Sequence, residues 1–231
     1  MKRFYTNVSV GIPQRGLYSI LLDSKPIKTP KRADLAVPWR GLAEAIAEEW
    51  KAQGEELDPA SMYLTKCANS AIDYTTHHEA AVAEGILAYS NDLLCYRALE
   101  PADLVARESE AWDPLLAWFR ERYGVNLLVG DSVAPIRQEE EALEKLRAVL
   151  APLDAFVLTA LHGAAALCGS LVLAMAVFEG RLTAEEAFAA SRLNEDYQAE
   201  KWGRDAAAEA RARFILAELA AAARFMALAK P

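Results

Sequence analysis

The stretch Ser191–Gly203, SRLNEDYQAEKWG, decides how this chain is read. It lies at the far end of a helical pattern that opens at Leu182, with Thr183 followed three residues later by Glu186. That spacing is a capping box, in which two side chains satisfy amide donors that a helix start leaves unpaired. A helix is therefore expected to begin near Thr183 and to run on through the stretch. Phe188, Glu195 and Trp202 are spaced by seven, so on one continuous helix they drift by only about 20° per heptad and share a stripe. An acid then stands between two aromatics. It is either a rim acid, snorkelling to water or paired with Arg192 or Lys201, or a carboxylate held for a partner.

Upstream, Ala155–Phe178 is long and apolar enough to be compared with a membrane span. Thr159, His162, Ser170 and two glycines interrupt it, and no Lys/Arg cluster flanks it. It is expected to be one buried central helix, with Gly163, Ala164, Ala165, Ala166 and Gly169 letting neighbours approach closely. Downstream, Arg204–Leu228 is Ala-rich and should be helical, set off from the signature by Gly203. Between residues 59 and 150 further helices are expected over 61–74, 79–89, 103–123 (bent at Pro114) and 138–150, with a short strand-like insertion at 127–133. The cluster Trp112, Leu115, Leu116 and Phe119 reads as core.

Only residues 3–37 look strand-like. Phe4, Val8 and Val10 alternate with polar neighbours, Gly11–Gly16 reads as a loop, and Leu17–Leu22 is β-rich before the turn chemistry of Asp23-Ser24. A hairpin this small needs cover on one face. Trp39–Gln53 supplies it, with Leu42, Ile46 and Trp50 on a narrow apolar stripe that stops at Gly54. The expected fold class is α+β: a small sheet-containing N-terminal domain over 1–58, then a larger all-helical C-terminal domain over 59–231.

Totals narrow the function. The 231 residues are 53% hydrophobic and 25% charged, so a sizeable core is available. A net charge of −8 argues against nucleic acid or an anionic membrane as the main partner. Cys67, Cys95 and Cys168 are widely spaced and lie in apolar surroundings, as reduced thiols in a cytoplasm do. The start of the chain has neither a signal core nor a transit-type composition, which suggests a bacterial cytoplasmic protein.

Catalytic signals are sparse. The sequence contains no GxSxG, P-loop, glycine-rich dinucleotide turn or HExxH. His77-His78-Glu79 cannot converge on a metal, because adjacent helical residues point about 100° apart. His162 reads as a core histidine bonded to a carbonyl. Glu195 with Asp196, or with acids near Asp92 and Asp113, is the one acid/base pair to weigh. No metal and no cofactor is expected.

SRLNEDYQAEKWG closely resembles the SRLEEEYQxxKWG signature of the assembly chaperones for the alpha subunit of the ATP synthase catalytic sector. The resemblance continues through RFY at Arg3–Tyr5, LDSKPIKTP at Leu22–Pro30, and Glu49-Trp50 with Gln53. It goes on through LTKCANSAID at Leu64–Asp73, ND before LLCYRA at Asn91–Ala98, and WDPLLAW at Trp112–Trp118. It implies a non-enzymatic chaperone that holds the unassembled alpha subunit until the beta subunit takes over the same interface. It also implies a small N-terminal sheet domain followed by a helical domain, and it assigns Glu195, Asp196, Gln198, Lys201 and Trp202 to partner binding. The chain departs from the pattern where Asn194 stands in place of the first of three acids and the shorter Asp196 in place of the last. The protein itself is expected to be monomeric, without membrane insertion. The competing readings are a small carboxylate-dependent hydrolase and a general helical scaffold.

Overall fold

The structure is a computed structural model that describes residues 1–131, 136–203 and 205–230. Among these are four strands and ten α-helices. The sheet is antiparallel and N-terminal: β1 (Val8–Val10), β2 (Tyr18–Leu22), β3 (Lys25–Pro26) and β4 (Ala36–Val37). β1 pairs with one edge of β2, with Ser9 opposite Leu21, while β3 and β4 share the other edge. The expected hairpin is thus present. The turn from β2 to β3 at Asp23 and Ser24 has positive φ at both residues, and the Asp23 carboxylate accepts the Thr6 and Asn7 amides. Helix α1 (Arg40–Lys51) covers the sheet with Leu42, Ala43, Ala45, Ile46 and Ala47 buried.

By contact density the chain divides into two units. One comprises residues 1–79, 154–160 and 224–231, and the other 80–153 and 161–223. The first takes in α2 (Tyr63–Asp73) besides the 58 residues expected to form it. Several quoted motifs are its joints. Arg3 donates to the Gln53 carbonyl at 2.6 Å and Tyr5 Oη to the Trp50 carbonyl at 2.7 Å. Glu49 accepts the Leu64 and Thr65 amides at 2.7 and 2.8 Å and so caps the start of α2. Burial still pushes its carboxyl above the ordinary range. The buried Thr29 donates to Asp73 at 2.6 Å, and the Lys31 amide donates to the other oxygen at 2.9 Å. Thr29→Val keeps the shape and removes both the donor to Asp73 and the acceptor of the Ala33 amide. The urea midpoint should fall by the equivalent of about 1.5–3 kcal/mol, the range for a bond to a charged group, at unchanged m-value; an unmoved midpoint would show that the joint is not structural.

The second unit contains α3 (Glu79–Leu87) from Ala80 onward, α4 (Ala102–Tyr123), α5 (Glu140–Leu150), most of α6 (Ala155–Cys168), α7 (Leu171–Phe178), α8 (Ala184–Ser191), α9 (Leu193–Trp202) and α10 (Ala206–Leu228) up to Ala223. Pro114 lies inside α4, whose Trp112, Leu115 and Phe119 are buried as expected. α5 buries Ala142, Leu146 and Leu150 on one face and leaves its other positions exposed or half-buried.

Three expectations are corrected. Ala155–Phe178 is two helices. Gly169 adopts φ +62°, Ser170 caps α7 by accepting the Leu173 amide at 3.0 Å, and the fully buried Asp92 accepts the Val172 amide at 2.8 Å. No helix of the described residues is long and apolar enough to cross a membrane. The insertion at 127–133 forms no strand within its described part. Gly130 makes a single parallel bridge to Tyr96, and the Gln138 amide group bonds both backbone groups of Leu128, where a partner strand would otherwise stand. Ser132 and Val133 lie outside the described residues. The helix from Thr183 is capped as read, with both capping-box bonds made, but it ends at Ser191.

Candidate functional site

That last break shapes the signature. Ser191 Oγ bonds back to the Phe188 carbonyl at 2.8 Å, and Arg192 leaves the helical region at φ −111°, ψ 11°. Helix α9 then starts afresh and stops at Gly203, where φ is 95°. Phe188 therefore belongs to a different helix from Glu195 and Trp202, and the continuous stripe expected from the heptad spacing does not exist. Arg192 lies 5.6 Å from the Phe188 ring and 3.7 Å from Asp196, so it takes the place in the break that one stripe would have filled.

One face of α9 is tied to α4. Tyr197, the only buried residue of α9, donates to Asp103 at 2.9 Å, and Lys201 approaches the same carboxylate at 3.5 Å while lying 5.0 Å above the Tyr197 ring. The Tyr197 hydroxyl, aided by Lys201, holds the Asp103 carboxyl below its ordinary range. Arg107 reaches both oxygens of Glu200 at 2.9 and 3.0 Å and lies 5.2 Å from the centre of the Tyr197 ring. Trp112 holds the preceding helix by donating to the Ala190 carbonyl at 3.0 Å.

The opposite face lines an open cavity of about 700 Å³. Glu195, Gln198 and Trp202 come from α9, Arg211 and Ile215 from α10, Leu167 from α6 and Leu93 from a one-turn 3-10 helix at Leu93–Cys95. Trp202 is 80% exposed. Indole is costly to leave in water, and nothing else in α9 covers it. Glu195 and Gln198 are exposed as well, and among the described residues neither makes an ion pair or a side-chain hydrogen bond. Of the five sequence-assigned residues, then, three share the cavity face. Asp196 and Lys201 are exposed at its edges, engaged with Arg192 and Asp103.

Other candidates take structural places. Asp92 is shifted up to about 6 by burial, yet it is sealed among backbone donors. Asp113 pairs with Arg97 at 2.7 Å. Cys168, in the cavity wall, is pushed up to about 12 by burial beside Asp92 and stays a neutral thiol, a poor nucleophile. His162 lies against Gly85 and 5.9 Å edge-on to Tyr89, so its packing is with a ring and a glycine and not with the carbonyl expected. His78 stacks on Tyr74 and bonds its carbonyl at 2.8 Å. No cluster of three or more metal-ligating side chains occurs among the described residues.

A concave surface with an exposed indole, and with a carboxylate and an amide that have no side-chain partner among the described residues, set on a short helix braced from behind, has the features of a protein-contact surface. The chain belongs to the ATP12 chaperone protein family, whose model matches residues 2–120. The crystal structure of Atp12 from Paracoccus denitrificans is similar over 99% of this chain and 98% of its own, at 43% identity and a TM-score of 0.92, as is that of an Asp-to-Lys mutant of the same protein. A putative chaperone from Agrobacterium tumefaciens is similar over 99% of this chain and 86% of its own, at 40% identity and a TM-score of 0.95. The mitochondrial protein atp12 of Schizosaccharomyces pombe is 26% identical over 215 residues, covering 87% of this chain and 74% of that protein. These structural likenesses extend across the signature, which lies beyond the residues matched by the family model.

Proposed function

We propose that this ATP synthase assembly chaperone binds the unassembled alpha subunit of the catalytic sector and shields it until the beta subunit takes its place, and that the cavity face of α9 is the contact. The observation that carries this reading is Trp202, 80% exposed beside an unpaired Glu195 on a helix whose other face is braced. An unassembled subunit exposes apolar and charged surface meant for its neighbour, and such patches aggregate when uncovered. Trp202 supplies the apolar anchor, Glu195 and Gln198 the polar complement, and Asp196 and Lys201 act at the edge of the contact. The sequence has no phosphate-binding loop, so release rests on competition by the beta subunit for the same surface. Three buried, free cysteines suit a reducing bacterial cytoplasm.

The test is capture from a lysate containing both subunits: the alpha subunit should be retained and then displaced by added beta subunit. Retention of beta alone, or of neither, would reject the client. Trp202→Ala should leave the melting temperature within the shift expected of about ±0.5 kcal/mol, because the side chain is already in water, while the amount of alpha subunit kept soluble falls severalfold. Full protection by Trp202→Ala would remove the indole from the contact.

A further inference from the structure

Among the described residues four charged side chains line the α9 cavity, and two of them are engaged within the fold. Arg192 lies 3.7 Å from Asp196 and 5.6 Å from the Phe188 ring, and the Asp205 carboxylate accepts the Ala208 amide at 2.8 Å, which caps α10. The other two carry opposite signs and stand on different helices, Glu195 on α9 and Arg211 on α10. Among the described residues neither forms an ion pair or a side-chain hydrogen bond, with the other or with any third group.

The helix that carries Arg211 owes little of this region to packing. Residues 206–218 make roughly three and a half turns, and none of them is buried; the first buried side chain of α10 is Leu219. A helix of that length is marginal in water without a packed face. Ala208, Arg211 and Ile215, spaced by three and four, bring one side of it to the cavity, where α9 presents Gln198 and Trp202. A bare face that sets an apolar side chain beside a free guanidinium is complementary to an apolar side chain beside a carboxylate, which a guanidinium grips with two parallel N–H bonds.

We propose that Arg211 is the second charged anchor of the contact and takes a carboxylate of the alpha subunit. The bound segment then carries an acid and a base on either side of an apolar side chain, with the base meeting Glu195. This rests on the reading of the α9 face as the client contact and adds to it a determinant of which surfaces the cavity accepts.

The test titrates the full chain against alpha subunit diluted out of denaturant and reads the concentration that keeps half of it soluble. Arg211→Glu should raise that concentration about tenfold or more at an unchanged melting temperature, because the client carboxylate loses its cation and meets a like charge. Arg213→Glu makes the same change of net charge on an exposed side chain outside the cavity, and should move it by less than about twofold, since exposed charges act weakly through salt. The sign discriminates. Were only a client base admitted, a second acid beside Glu195 would attract it, and Arg211→Glu would protect as well as the wild type or better; that outcome overturns the proposal. So does a loss shared equally by Arg213→Glu, which would mark net charge, or one that comes with a fallen melting temperature, which would mark a structural role. If Trp202→Ala and Glu195→Lys lose protection while Arg211→Glu keeps it, the α9 contact stands and Arg211 leaves it. If the wild type protects nothing, the client assignment falls and the proposal with it.

Discussion

Replacing Glu195 by lysine is expected to abolish protection of the alpha subunit while the protein melts as before. The side chain is exposed, forms no ion pair among the described residues, and lies on the cavity face of α9, away from the Tyr197 and Glu200 ties that fix the helix. Charge reversal there should change folding stability by no more than about 0.5 kcal/mol. At an interface the same change acts twice. A cation on the client loses its partner and meets a like charge, which costs about 2–5 kcal/mol, or thirtyfold and more in affinity. Comparing thermal unfolding of the two proteins and the quantity of alpha subunit each keeps soluble separates the cases. Protection that persists, or that vanishes together with the melting temperature, would return Glu195 to the status of a solvated acid.

The largest effect on stability is expected at Asp92. Its carboxylate is fully buried and accepts the Leu94 amide at 3.0 Å and the Val172 amide at 2.8 Å, with further bonds from Ser170 and Leu171. Asp92→Ala strands these donors in the core, and a loss of about 3 kcal/mol or more should follow. The pH dependence has a definite sign. Burial outweighs the hydrogen bonds and pushes the carboxyl up to about 6, so between about pH 4 and that value the native chain holds a proton that the unfolded chain has released. The contribution of Asp92 is therefore complete below about pH 4 and declines as pH rises through about 6, by about 3 kcal/mol for a shift of this size. Asp92→Asn cannot titrate. The stability advantage of the wild type over this variant should be greatest near pH 4 and shrink towards pH 7, as read by denaturant melts at several pH values. The neighbouring Cys95 and Cys168 thiols, both pushed up to about 12, do not titrate in this window. A difference that stays constant, or grows with pH, would contradict the assignment.

What could be read from sequence was whatever is decided locally. The alternation of Val8 and Val10, the stripe of Leu42 and Ile46, and the capping box of Thr183 and Glu186 all express short-range rules, and each sits where those rules put it. The breaks at Gly169 and Arg192 were not legible. The first depends on the Asp92 carboxylate, which accepts the amide of Val172, 80 residues on in sequence. The second depends on a hydroxyl that turns back on its own helix, which any mid-helix serine can do and few announce. The α9 half of the cavity could be named in advance because it forms one contiguous signature. Its opposite wall comes from three separate stretches: Leu93 belongs to a quoted motif that nothing in the sequence ties to the signature, and Leu167, Arg211 and Ile215 lie in stretches of ordinary composition. Likewise Glu49 and Asp73 look like surface acids until the amides they accept are seen.

Helix α9 contributes a single buried side chain, Tyr197, and is bounded by a break at Arg192 and by Gly203. Within ten residues the positions that brace the helix, Tyr197, Glu200 and Lys201, and those that line the cavity, Glu195, Gln198 and Trp202, are thus disjoint sets. With the proposed contact on that face, selection can retune Glu195, Gln198 or Trp202 to follow a drifting client surface without eroding the marginal stability that limits most mutational paths, and a lineage could exchange its client while keeping its scaffold.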